Sequence, residues 1–344
     1  MGCFYSKKSK RKSLEKEERT PTTTTVETTT TTNAVPLGNN TDEAAPKQYS
    51  WDKREKVRHV FSFPSFILAL VFSRKLHNFI AHMFLLKHSA HDCAAAKLCD
   101  IRCVVACQQF RTRDCKKMEV FLCCATQPII ESSTGVKMGC FQYYYPELAF
   151  HFKDAGLSIF NNNWSNVHDF TPVAGETNWS LLPESAAVLE SVPAPGADSD
   201  FKAVRISADA ARSIVPLTKG GRRKDSDESC LFVFFAGEYT TANARKMIDE
   251  ATAKGFVLIQ TKEVSMRPED VKRVFQNNAE DLVDWISKGP VIALELNGDG
   301  VVEACKNIAG EVFGGTKVFV SDNKNTSSHD VDNFFNFADM QMGL

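Results

Sequence analysis

Short apolar runs separated by polar breaks fill the stretch from about residue 99 to 180: CVVAC, MEVFLCC, MGCFQYYY, LAFHF and LSIF. None keeps the 3.6-residue spacing of an amphipathic helix, and short strands at regular intervals predict an all-β architecture. The intervals are tight and asparagines recur in FNNNWSN (160–166). Successive short strands that turn corners in one direction predict a parallel β-solenoid, each coil covering the next. Periodicity alone leaves a β-sandwich open. After a joint containing proline and alanine (183–200) the pattern changes. LFVFFA (231–236) predicts a buried strand and TANARKMIDEATAKG a helix ending at Gly255. FVLIQTKEV predicts a strand, RPEDVKRVFQNNAEDLVDWISKG one or two helices, PVIALELNG a strand, DGVVEACKNIAGEVFGG a helix and TKVFV a final strand. Two β-α-β units in succession predict a ferredoxin-like α/β sandwich.

Upstream the pattern is different. VFSFPSFILALVF (60–72) is apolar over 13 residues and is interrupted by Pro64. A spanning helix needs about 20 apolar residues, so none is expected here. His59, His77, His82, His88 and His91 crowd the same region without the H-E-x-x-H spacing of a metalloenzyme, and no ligand role is assigned to them. Residues 13–50 contain little that could form a core; ten threonines lie within 20–32, which predicts a flexible spacer. The chain begins MGCFYS, a match to M-G-x-x-x-[ST] with Gly2 as the myristoyl acceptor and Cys3 beside it for a palmitoyl group. KKSKRK (7–12) adds five positive charges. One acyl chain binds membranes only marginally, and a second chain or a basic cluster makes the attachment stable. An ordinary solvated basic tail is the alternative.

Composition narrows these readings. A length of 344 residues suggests about two domains, and a net charge of −1 is no electrostatic match for nucleic acid. There are eleven cysteines and no secretory signal, so the thiols are read as cytosolic and reduced. A C-x₃-C-x₃-C run (Cys99, Cys103, Cys107) is chemically able to bind metal, but zinc sites use closer pairs, and small side chains filling a strand-rich core account for the same cysteines. No metal is expected.

ACQQFRTRDC (106–115) carries the candidate chemistry. If 109–113 is extended, Gln109, Arg111 and Arg113 share one face while Phe110 and Thr112 take the other. Residue physics alone reads the arginines as a solvated strand face paired with Asp114 or Glu119.

MGCFYSKK, PKQYSWDKREKV, ACQQFRTRDC, EVFLCCATQPIIESS, YYYPELAFHFKDAGLSIFNNNWSNVHDFTPV and the closing FNFADMQMGL resemble the tubulin-cofactor-C-like domain family, across residues 1–12, 46–57 and about 102–344. The resemblance implies an acylated, disordered tail (1–45), a parallel right-handed β-helix (46–200) and a ferredoxin-like nucleoside-diphosphate-kinase-like domain (228–344). It implies a GTPase-activating protein for the GTP-bound ADP-ribosylation-factor-like GTPase 3, tethered to the cytoplasmic face of the plasma membrane and the ciliary base, in the transport of lipidated proteins to the cilium. Arg111 then corresponds to an arginine finger and Gln109 to a glutamine near the attacking water. Arg113, Glu131 and Phe170 correspond to the GTPase-facing surface. No cofactor of its own is implied, because GTP and Mg belong to the partner. The alternative is a non-catalytic membrane-tethered GTPase effector or scaffold, or a tubulin-folding-related cofactor with tubulin as partner.

Two segments depart from the family pattern: the threonine-rich spacer, and residues 58 to about 98, where the first coils are expected to be malformed or absent. Kinase activity is not expected of the C-terminal domain. His329 lies two positions from the expected nucleophile, with Ser327 nearer that place; FFAGEYT lacks the expected lysine, and no G-x-x-x-x-G-K-[ST] loop occurs.

Overall fold

The computed structural model describes residues 67–75, 78–86, 93–96, 99–186, 207, 212–276 and 279–343, with strand placement alone for 67–101. The acylation signal at Gly2 and Cys3, the basic run, the threonine-rich spacer and most of the joint at 183–200 lie outside these residues.

Ten strands build the first half: β1 Ile67–Lys75, β2 Asn78–Leu86, β3 Cys93–Ala96, β4 Cys99–Cys107, β5 Phe110–Arg113, β6 Lys116–Cys124, β7 Ile129–Glu131, β8 Val136–Cys140, β9 His168–Asp169 and β10 Trp179–Leu181. They form a six-stranded sheet, β1-β2-β4-β6-β8-β10, and a four-stranded one, β3-β5-β7-β9, so from β2 to β10 the chain alternates between two sheets. Neighbours are parallel throughout, except that β1 pairs antiparallel with β2. Residues 58 to about 98, where malformed or absent first coils are expected, are described only in part, at 67–75, 78–86 and 93–96. β2 and β3 already run parallel to β4 and β5, and the irregular feature is the antiparallel β1.

Between the sheets lie Val105, Cys107, Phe110, Met118, Val120, Leu122, Ile130 and Trp164. The outer face of β4 and β6 is covered as well, by Phe141, Tyr143, Leu148, Phe152 and Leu182. Burial on both faces explains why CVVAC and VFLCC are continuous apolar runs without alternation. The buried cysteines 103, 107, 115, 123, 124 and 140 fill this core.

Two runs read as strands are otherwise. LAFHF lies in helix α1, Leu148–Asp154, because Leu148 and Phe152 sit one turn apart and bury together while Phe150 points outward, 65% exposed. Over five residues, alternate spacing and i, i+4 spacing are both satisfied, and packing decides between them. LSIF forms no strand: the carbonyl of Phe160 accepts from Thr261 Oγ1 (2.7 Å), and the Asn161 side chain pairs in both directions with the Glu263 backbone (2.8 and 2.9 Å). An asparagine amide thus stands in for the strand neighbour.

The second half runs β11 Ser229–Phe234, α2 Thr240–Ala253, β12 Val257–Val264, α3 Pro268–Phe275, α4 Val283–Ile286, β13 Val291–Asn297, α5 Val301–Val312, β14 Val318–Val320 and α6 Ser327–Met342. As predicted, α2 gives way to a left-handed Gly255 (φ +86°). The sheet order is β12-β13-β11-β14 with every pair antiparallel. One face packs Phe232, Met247, Leu294 and Ile308, and the other packs Val233, Val271, Phe275, Phe334 and Phe337. Helix α6 follows the last predicted strand without having been expected, and its Val331, Phe334, Phe335 and Ala338 form the buried stripe.

A buried lysine joins the halves. Lys262 Nζ on β12 lies 2.5 Å from Asn163 Oδ1 and 2.9 Å from Asp339 Oδ1 on α6. Burial pushes its pKa down, opposed by Asp339. Between that lowered value and the ordinary lysine value of about 10.4, the unfolded chain holds a proton that the folded chain has lost, so this group makes stability rise with pH. Lys262→Met should remove the rise. In urea denaturation at about pH 8 and about pH 10, the parent should gain on the variant at the higher pH.

Candidate functional site

Strand β5 displays the alternation expected of it. Phe110 and Thr112 are buried, and Arg111 and Arg113 are half-buried on the outward face. Gln109 is half-buried and immediately precedes the strand. Its neighbour Gln108 has a structural role that the sequence does not predict. That side chain donates to the carbonyls of Ala155 (3.2 Å) and Gly156 (2.9 Å), while the backbone carbonyl of Gln108 accepts from the backbone N–H and the hydroxyl of Thr126 (both 3.0 Å). The turn into β5 is therefore tied on both sides. A glutamine between Cys107 and Gln109 carries no pattern that would have marked it.

Parallel pairing lays the predicted residues out in rows. Arg111 is opposite Ile129, and Ile129 is opposite His168. In the next outward row Arg113 is opposite Glu131, and beyond Glu131 comes Phe170, whose N–H donates to the Ile130 carbonyl at 2.9 Å. Arg113, Glu131 and Phe170, separated by up to 57 positions in sequence, thus come together on one wall, with Arg111 two residues along the strand. The corners that follow β5 and β7 match: Asp114 and Ser132 both have left-handed backbones (φ 55° and 47°), and the Asp114 N–H donates to the Glu131 carbonyl at 3.1 Å.

The electrostatics are loose. Arg113 Nε is 3.8 Å from a carboxylate oxygen of Glu131 and 3.8 Å from one of Asp114, and all three side chains are at least 30% exposed. Water screens such pairs, which contribute little to stability. Glu119 is not a partner of these arginines. It stands on the six-stranded sheet with Arg102 (2.9 Å) and Lys137 (3.5 Å), since β5 and β6 belong to different sheets. Phe170 is 57% exposed, with the His168 ring set edge-on at 4.5 Å between centroids.

Other chemistry is sparse. A cavity of about 470 Å³ near β8 is lined by Phe121, Cys140, Leu182, Val215, Arg222 and Leu258 among others, and no predicted site residue lines it. His329 is exposed on α6, its Nδ1 3.0 Å from the Asn333 amide, and Ser327 is buried. Among the described residues, no cluster of three or more His, Cys, Asp or Glu side chains could hold a metal ion, and no helix is long and apolar enough to cross a membrane.

Comparison with known proteins places this architecture. The tubulin binding cofactor C family model matches residues 73–170, which include the whole Arg111 wall. Human tubulin-specific chaperone C is 37% identical over 83 residues, 23% of this chain and 24% of that one. The class is therefore a protein with a tubulin-cofactor-C-like domain. Protein XRP2 of Danio rerio is 65% identical over 378 aligned residues that cover 100% of both chains. The chain belongs to the Protein XRP2 family. A nucleoside diphosphate kinase of Aquifex aeolicus aligns with 31% of this chain and 94% of its own, at 17% identity and a TM-score of 0.27, a likeness too low to carry an argument.

The geometry of the wall makes a stability prediction. Glu131→Gln removes a screened ion pair and no buried contact, so urea denaturation should show a change below about 1 kcal/mol.

Proposed function

We propose that the protein is a GTPase-activating protein for the ADP-ribosylation-factor-like GTPase 3 in its GTP-bound form, with Arg111 as the arginine finger. The observation that carries this reading is the outward placement of Arg111 on a short, fully paired strand, two residues from the row of Arg113, Glu131 and Phe170. GTP hydrolysis is limited by charge stabilisation and water placement, and an arginine supplied in trans raises the rate by about 10³–10⁵-fold where it has been measured. Guanidinium suits the task because it stays charged and its planar fork matches phosphate oxygens. Gln109 orients the attacking water, and Arg113, Glu131 and Phe170 contact the GTPase. The protein needs no cofactor of its own, since GTP and Mg arrive with the partner.

In the same reading the two alternating sheets are a right-handed parallel β-helix, a rigid mount for a residue whose misplacement is costly. The second half is a ferredoxin-like, nucleoside-diphosphate-kinase-like domain without kinase activity. Myristoyl at Gly2, palmitoyl at Cys3 and the basic run at 7–12 hold the protein on the anionic cytoplasmic face of the plasma membrane and at the ciliary base. There it serves the transport of lipidated proteins to the cilium.

Single-turnover hydrolysis by the GTP-loaded GTPase tests the central claim. The parent protein should accelerate it, and Arg111→Ala should lose about 10³-fold or more of that acceleration while still binding. Arg111→Lys should restore little, because an ammonium lacks the planar fork. No acceleration by the parent would sink the reading. A second reading, a non-catalytic scaffold or tubulin-folding-related cofactor, is favoured by the cofactor C match at 73–170. It predicts tubulin or GTPase binding with no change in hydrolysis. Membrane attachment has a separate test: Gly2→Ala should move the protein from the membrane to the soluble fraction of expressing cells, and an unchanged distribution would exclude acylation as the anchor.

A further inference from the structure

An exposed ring makes a poor contact point if its backbone is free, because ordering it on binding costs free energy. The residues around Phe170 remove that freedom. Asp169 Oδ1 accepts from the Thr171 N–H at 2.9 Å, and Asp169 Oδ2 accepts from the Asn178 amide at 2.8 Å. The same amide donates to the Thr171 carbonyl at 3.0 Å, and Asn178 is buried. The hydroxyl of Thr171 accepts from the N–H of Ser132 at 2.7 Å. Ser132 is the left-handed corner residue directly after Glu131. The Phe170 N–H is held by Ile130, and its ring is backed by His168. Both peptides flanking the ring are therefore fixed, and one threonine hydroxyl ties them to the corner that carries Glu131.

We propose that Asp169, Thr171 and Asn178 are positioning residues that preset Phe170 and the Glu131 corner as a single docking edge for the GTPase. The proposal rests on the activator reading above and divides its labour: the brace sets affinity, and Arg111 sets the rate at saturation. Asp169 spends both carboxylate oxygens inside the brace, so the edge offers a partner an aromatic ring beside the Arg113–Glu131 pair. Its complement is an apolar recess with a charged rim.

Thr171→Val deletes the hydroxyl at nearly constant shape, and Thr171→Ser retains it. Titration calorimetry against the GTPase loaded with a non-hydrolysable GTP analogue gives the affinity, and single-turnover hydrolysis against activator concentration gives the half-saturation point and the maximal rate. Thr171→Val and Asn178→Ala should weaken affinity and raise half-saturation by about threefold to tenfold, with the maximal rate within about twofold of the parent. Thr171→Ser should behave as the parent. In a Phe170→Ala background, Thr171→Val should lose most of its effect and keep only the part that passes through the Glu131 corner. A merely structural role would lower the melting temperature and the maximal rate together and would persist undiminished in the Phe170→Ala background. That result, or unchanged affinity in Thr171→Val, overturns the proposal. Should Asn178→Ala fail to fold, the Thr171 pair decides alone. Binding by the parent without acceleration sinks the activator reading and leaves the brace to be judged on affinity. Absence of any binding sinks both.

Discussion

A charged ammonium inside a protein needs partners in fixed places, and Lys262 imposes that requirement on three segments at once. Taking an ion out of water costs several kcal/mol, so the position is tolerable only while its neighbours supply oxygen atoms. One oxygen comes from Asp339 near the end of α6 and another from Asn163 in the loop between α1 and β9. The same Asn163 side chain turns its amide to the Ala125 carbonyl at 2.6 Å, and its neighbour Asn162 accepts from the Cys124 N–H at 3.1 Å. Ala125 and Thr126 in turn bond to the Cys107 and Gln108 carbonyls, and Gln108 leads into β5. An unbroken series of polar contacts therefore runs from a buried lysine in the second half to the residues just before Arg111. It fixes where the candidate site stands.

The two outward walls of the first half use charge differently. On the six-stranded sheet, Glu119 is held by Arg102 at 2.9 Å and Lys137 at 3.5 Å, a carboxylate between two cations. On the four-stranded sheet, Arg113 and Glu131 stand 3.8 Å apart. The first arrangement sets its carboxylate within reach of two cations. The second is a looser pairing, and charge complementarity between surfaces governs encounter rate and specificity more than affinity. Polar satisfaction, more than the number of charges, distinguishes the wall read as functional from its counterpart.

Much of this was legible in the chain. The strands at 103–107 and 118–124 and the succession of elements from 231 to 320 follow from apolar runs bounded by polar breaks. The outward placement of Arg111 and Arg113 follows from simple alternation once the strand is granted. What could not be read depends on partners distant in sequence. LAFHF fits two periods, and the burial of Phe152 against Phe141 chooses one. Asn161 completes a strand edge about a hundred residues away, which no local pattern announces. The pairing of Arg113 with Glu131 needs the parallel register, whereas sequence proximity had offered Glu119. Residues 58 to about 98 depart from the family pattern in sequence, and the strands described there include the antiparallel β1.

Parallel strands with matched left-handed corners at Asp114 and Ser132 give the four-stranded wall a fixed metric. Neighbouring strands lie about 4.8 Å apart, and outward side chains recur about every 6.6 Å along each strand. The guanidinium of Arg111 and the Arg113–Glu131–Phe170 row are thus graduations on one ruler. Its scale is set by backbone hydrogen bonds, which side-chain substitution leaves in place. Side chains on this wall can be exchanged while their spacing is kept. Adding or removing a residue at either corner would move every graduation after it to the opposite face.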